Sequence, residues 1–203
     1  LEGNAMKVTF NMLRANDLIW TFVVNNYLLG REPFPFDLLY WNSDSTNLPA
    51  AMHTYYLRHM YINNDLVKPG AISVCGVPVD ISTIDTPAYF LSTREDHIAP
   101  WAATLAGATH LKGPITFTLA ASGHIAGVVN PPASGKYCYW TAPEKNNDPD
   151  AWLKQAKEHA GSWWPHWQKW IEKQDDSQVP AVNPAAGPLK SLVPAPGTYV
   201  KKR

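Results

Sequence analysis

The spacing of apolar side chains changes period more than once along the chain. From about Ala5 to Leu29, Met6, Phe10, Leu13, Ile19, Trp20 and Val23 recur at helical intervals. Asn16-Asp17 offers a break with a new N-cap before Leu18, and Gly30 a stop. A short apolar run, Phe36 to Trp41, precedes a polar loop rich in capping residues, Asn42 to Asn47, where Asp44 reads as an N-cap. Pro49 opens a helix predicted to run to about Asn63, with Met52, Tyr56, Leu57, Met60 and Tyr61 along one face. From Lys68 the texture turns β-like. Pro69-Gly70 marks a turn, and Ile72 to Val74 and Val77 to Val79 flank Gly76. Two near-continuous apolar runs, Ala88 to Thr93 and Ile115 to Ala120, have the look of strands buried on both faces. The helical stretch between them, Pro100 to about His110, makes a strand–helix–strand unit, so a parallel sheet with a right-handed crossover is expected. Asp148-Pro149 reads as an N-cap with proline at N1, opening a helix predicted to reach about His159. Trp164 to Lys173 is a last amphipathic helix, and residues 176–203, rich in Pro, Ala and Gly, read as an extended tail.

Composition narrows the function classes. The 203 residues carry 17 basic and 17 acidic side chains, with no strongly basic stretch, which argues against a nucleic-acid partner. Two cysteines, Cys75 and Cys138, make no disulfide framework; both read as buried apolar residues without a basic neighbour to activate them. Leu1-Glu2-Gly3-Asn4 lacks the basic and apolar segments of a signal peptide. No apolar stretch approaches the roughly 20 residues that cross a bilayer. A cytoplasmic protein without a transmembrane segment is expected. Helical pattern begins at once and the first residue is not Met, so a longer parent chain is expected too. His53 and His59, six apart, do not share a helix face cleanly, and no His/Cys spacing announces a metal site.

Parallel α/β sheets carry their functional loops at the carboxyl ends of strands. Two such loops are readable: Ser92-Thr93-Arg94-Glu95-Asp96-His97-Ile98-Ala99-Pro100-Trp101 and Ala121-Ser122-Gly123-His124-Ile125-Ala126-Gly127. Neighbouring strands would bring Asp96 and His124 together, and a carboxylate that fixes a histidine's orientation makes it a general base. Acid before histidine is the order of the α/β-hydrolases, in which the nucleophile precedes both. The nucleophile elbow itself is missing: no G-x-S-x-G or cysteine equivalent occurs, Cys75 has no glycine two positions earlier, and Ser122 lies in the histidine loop. Glu95 reads as a solvated neighbour, and Trp163, Trp164, Trp167 and Trp170 as packing of the last helix rather than a polymer platform.

The two loops, continued through Val128-Val129-Asn130-Pro131-Pro132, closely resemble the polyhydroxyalkanoate synthases, most of all their class I, short-chain type. Three more stretches agree: residues 36–47, Gly161-Ser162-Trp163-Trp164-Pro165 and Pro194-Ala195-Pro196-Gly197-Thr198-Tyr199-Val200. The resemblance implies the C-terminal part of an α/β-hydrolase fold, a parallel sheet with flanking helices, plus a helical cap. Residues 1–67 would be the cap or lid and the return to the core, 68–175 the C-terminal half of the core, and 176–203 the tail. It implies an acyltransferase that polymerises (R)-3-hydroxyacyl-CoA, notably 3-hydroxybutyryl-CoA, and releases CoA. Its Cys-Asp-His triad would comprise Asp96, His124 and a cysteine upstream of Leu1, without a cofactor or metal. His97 matches a position near the CoA-side opening. Trp41 and Tyr56 are candidates for the substrate or product path, with packing the plainer reading. The implied partners are the growing polyester and its granule surface, the N-terminal part of the same enzyme, and a second copy joined through the cap. Alone, the chain is expected to be inactive. The alternatives are an α/β-hydrolase esterase or polyester depolymerase, told apart by the elbow residue, and a non-catalytic granule module.

Overall fold

The computed structural model describes residues 3–33, 47–143, 146–194 and 197–198. Trp41, with the run 36–41 around it, lies outside the described residues, as does Asp44. The chain divides into two compact units, Leu1–Asp85 with His110–Lys112, and Thr86–Thr109 with Gly113–Arg203.

The first unit opens with helix α1, Gly3–Leu13, followed by wider π-type turns at Asn16–Trp20 and Val23–Leu28. The predicted cap at Asn16-Asp17 does not form. Ala15 and Thr21 keep helical dihedrals, and both the amide and the hydroxyl of Thr21 bond back to the Asn16 carbonyl, so a widened turn replaces a break. Gly30, at φ 61°, ends the segment as expected. Helix α2, Ala50–Tyr56, starts after Pro49 and continues as a π-type turn over Leu57–Ile62, close to the predicted span. Among the described residues, most of its apolar face is exposed, at Met52, Tyr56, Leu57 and Tyr61, while Met60 is half-buried. Beyond it Asp65 is buried, and its carboxylate receives Lys68 Nζ at 3.0 Å and faces His59 Nδ1 at 2.8 Å. Strands β1, Ile72–Val74, and β2, Val77–Val79, form an antiparallel hairpin with Cys75 and Gly76 at its tip, both at positive φ as a tight two-residue hairpin turn requires. Cys75 is therefore exposed, not buried as its sequence context suggested.

The second unit is a four-stranded sheet flanked by helices. Strands β3 (Ala88–Thr93) and β4 (Ile115–Ala120) run parallel, joined through helix α3 (Trp101–Ala108), as the two apolar runs predict. Two additions were not read from the sequence. Strand β5, Cys138–Thr141, pairs antiparallel with β4, and β6, Lys157–Ala160, pairs antiparallel with β5, giving the order β3-β4-β5-β6. The sheet is mixed rather than all parallel. Helix α4, Pro149–Gln155, begins as predicted, with the Asp148 carboxylate accepting the amides of Asp150 and Ala151. It stops at Gln155 instead of His159 because Ala156 turns extended (ψ 136°). His159 then stacks on Tyr139, ring centroids 4.8 Å apart, and its Nε2 meets Thr141 Oγ1 at 2.9 Å. Helix α5, Trp164–Glu172, closes the order.

Strand alternation splits the sheet into two faces. On one, Phe90, Phe117 and Leu119 pack with Leu105 of α3 and Trp152 of α4 into the core, where Leu119 and Trp152 are essentially inaccessible. On the other, Tyr89 meets Trp163 and the α5 side chains His166 and Trp170. A buried side chain of this size contributes about 1.5–3 kcal/mol, so the core fixes the β3 and β4 backbones up to their carboxyl ends. No helix among the described residues is long and apolar enough to cross a membrane.

Candidate active site

The site grows from the ends of β3 and β4. Thr93, the last residue of β3, is buried, and the ladder runs one step further: the Arg94 amide donates to the Ala120 carbonyl at 2.8 Å, and that of Glu95 to Ser122 at 3.1 Å. The two loops thus leave the sheet side by side. Asp96 closes a turn in which its Oδ1 accepts the amides of Ile98 (2.8 Å) and Ala99 (2.9 Å). Its other oxygen, Oδ2, lies 2.7 Å from His124 Nδ1. The Asp96 side chain is 8% exposed and that of His124 46%.

These contacts set the charge. Burial is the largest single influence on Asp96 and pushes its pKa up, but the hydrogen bonds from Ala99, His124 and Ile98 together outweigh it, so the carboxyl titrates below its ordinary value. An ionised carboxylate only accepts, so Nδ1 must donate, which leaves the Nε2 lone pair available on a half-exposed ring. A base oriented by a buried acid is the chemical capacity of this arrangement.

The histidine loop is held more tightly than its polar sequence suggests. The Ala121 amide donates to the Cys138 carbonyl at 2.9 Å. Ser122 sits at φ 74°, where a side chain costs about 1–2 kcal/mol. A Cβ on Gly127 would lie 2.4 Å from the Ala121 carbonyl oxygen and 2.6 Å from Thr93 Cγ2, so only glycine fits there. The indole N–H groups of Trp163 and Trp164 both donate to the Val128 carbonyl, at 3.2 and 3.0 Å. Asn130 is buried and staples the following turn, giving Nδ2 to the Lys136 carbonyl and accepting from Ser134 Oγ.

Of the residues singled out from sequence, Asp96 and His124 meet. His97 is exposed beside Asp96, and Glu95 is exposed as well. Tyr56 belongs to the first unit, exposed and edge-to-face with Tyr61 at 5.5 Å. Cys138 is half-buried on β5; burial first, and then Glu158, push its thiol pKa up against the opposing pull of Arg94, which leaves a poor nucleophile. The sequence reading missed the indole donors and the β5 carbonyl. The only local signal for them was the adjacent pair Trp163-Trp164, which has the same form as ordinary packing.

No family model matches the chain. Curated relatives do, over its whole length. It is 54% identical over 203 residues to the poly(3-hydroxyalkanoate) polymerase subunit PhaC of Rhizobium meliloti (strain 1021). It is 48% identical over 204 residues to that of Cupriavidus necator, and 50% over 204 residues to the poly(3-hydroxyalkanoate) polymerase of Methylorubrum extorquens. All of this chain is covered in each case, but only 33%, 35% and 34% of those proteins, so the chain spans about a third of their length. From its first residue to its last, the chain is homologous to a C-terminal part of the poly(3-hydroxyalkanoate) polymerases.

Proposed function

We propose that the chain is the C-terminal catalytic part of such a polymerase, with an α/β-hydrolase core, and that it lengthens a polyester from (R)-3-hydroxyacyl-CoA, 3-hydroxybutyryl-CoA being the unit the sequence resemblance points to. The observation that carries this reading is the 2.7 Å contact of His124 Nδ1 with the nearly buried Asp96 carboxylate, in a chain 54% identical over its whole length to a polymerase subunit. In this reading a cysteine from a segment preceding Leu1 faces Nε2. His124 takes the thiol proton, the sulfur attacks the thioester carbonyl, and the CoA sulfur leaves and is protonated, giving free CoA and an acyl-cysteine. A hydroxyl of the next unit or of the chain then attacks that acyl group, His124 receiving its proton and returning it to the cysteine. With Oδ1 taken by two backbone amides and Oδ2 by His124, the Asp96 bonds favour orienting the imidazole over activating the hydroxyl directly.

His97, exposed next to Asp96, is assigned to the CoA-side opening, and Trp41 and Tyr56 are assigned to the acyl path on the sequence resemblance alone. The exposed apolar side chains of the first unit, Trp20, Phe22 and Tyr27 among them, support a contact between two copies through residues 1–67, which a mass measurement in solution tests. Association with the polymer granule belongs to the same proposal.

The test is His124→Ala in the full polymerase, assayed for CoA release and polymer. The expected loss of turnover is on the order of 10³-fold or more, while the 203-residue chain by itself forms no polymer. Retained polymerisation in the variant would sink the reading, and release of free hydroxy acid in place of polymer would substitute an esterase.

A further inference from the structure

Trp163 and Trp164 stand at the start of α5, the first as its N-cap and the second as its first residue. Adjacent residues at a helix start point in directions about 100° apart, and the two rings lie at 77° to each other with centroids 6.4 Å apart. Nevertheless both Nε1–H groups end on one atom, the Val128 carbonyl oxygen. An indole only donates and a carbonyl oxygen has two lone pairs, so the pair fills that acceptor completely. Val128 lies one residue past Gly127, whose position admits no side chain, and four past His124. The helix that carries the indoles is also fixed to the sheet by side chains outside the pair: Tyr89 Oη lies 2.9 Å from His166 Nδ1, and the Tyr89 ring packs edge-on against Trp170.

We propose that Trp163 and Trp164 are positioning residues for His124, a two-donor clamp that holds the far end of its loop on α5 and so keeps the imidazole aligned with Asp96. The proposal rests on the catalytic reading of His124 given above. Ser122 at positive φ loads the near end of the loop, and the clamp supplies the restraint that a strained turn needs in order to persist. Each indole alone satisfies the carbonyl, so the two side chains back each other up.

Redundancy gives the test its form. Trp163→Phe, Trp164→Phe and the double variant, made in the full polymerase, remove the N–H groups while keeping most of the ring. Each single change should lower kcat less than about threefold and the double on the order of 10- to 100-fold, far more than the product of the singles, with KM for 3-hydroxybutyryl-CoA within about twofold. Amide hydrogen exchange at Gly127, Val128 and Val129 should rise in the double variant while β3 and β4 keep their protection. Benzothienylalanine at both positions, the indole shape with sulfur in place of N–H, serves if the phenylalanine pair does not fold. Multiplicative single effects, a double variant with unchanged kcat, or a fall in kcat without faster exchange at 127–129 would each overturn the clamp. The exchange measurement needs no turnover, so failure of the catalytic reading, seen as an active His124→Ala enzyme, is told apart from failure of the clamp.

Discussion

The two halves of the site differ in how far away their supports lie. The Asp96 side is local: the carboxylate accepts the amides two and three residues ahead of it, and the turn is complete within a handful of residues. The His124 loop closes local bonds too, from Gly127 to the Gly123 carbonyl and from Val128 and Val129 to that of Ile125, but it is tied in addition from a distance, by the Cys138 carbonyl on β5, the Thr93 methyl beside Gly127 and the indoles of α5 on Val128. A turn that satisfies its own backbone tolerates change in the rest of the protein. A loop tied to three remote elements transmits change from any of them to the imidazole.

The sharpest probe of this contrast is Asp96→Asn in the full polymerase. The amide oxygen still accepts Ile98 and Ala99, so the local turn stands, but the NH₂ group faces Nδ1 and favours the wrong tautomer. Turnover should fall by about 10³- to 10⁴-fold, with only the small loss of thermal stability that the missing charge accounts for. A variant that largely unfolds at neutral pH would show that the turn itself depends on the charge. Second in size is Gly127→Ala on the remote side, where a methyl must displace the Ala121 carbonyl or Thr93. Destabilisation of about 1–3 kcal/mol by denaturant titration is expected, together with lost activity. An alanine accommodated without cost would break the comparison. The smallest effect is with acid. Asp96 titrates below its ordinary value of 3.8, so its ionised form contributes stability that is full above that pH and is lost as the pH falls from there through its lower folded-state value. Asp65, held down to about 2 first by His59 and then by Lys68, behaves in the same direction in the other unit. Comparing the acid limb of unfolding in wild type and Asp96→Asn isolates the site's share; identical limbs would show that the carboxylate does not couple to folding.

What was legible in the sequence follows the same division. The runs that became β3 and β4, the cap at Asp148 and the start of α2 are set by residues within a few positions of one another, and each formed where expected. The proximity of Asp96 and His124 also followed, because one helix between two parallel strands leaves little choice about which loops adjoin. Strand β6 was misread. Lys157-Glu158-His159-Ala160 has helical rather than β character, and becomes a strand only through pairing with β5 and the stacking of His159 on Tyr139. Strand β5 is four residues long, too short for alternation to show. The exposure of the α2 face was hidden for a related reason: periodicity reveals that a face is apolar, not what covers it.

The position of β3 at the margin of its sheet has a practical consequence. Among the described residues its outer flank carries main-chain donors and acceptors with no ladder, beside the apolar stretch Ala88–Leu91. A margin of that kind, six residues long and apolar along Ala88–Leu91, with Pro87 and Arg94 only at its two ends, can pair with an extended segment it meets. Self-association of these 203 residues along that flank is the expected outcome, and light scattering with and without a co-expressed strand able to seat there checks it.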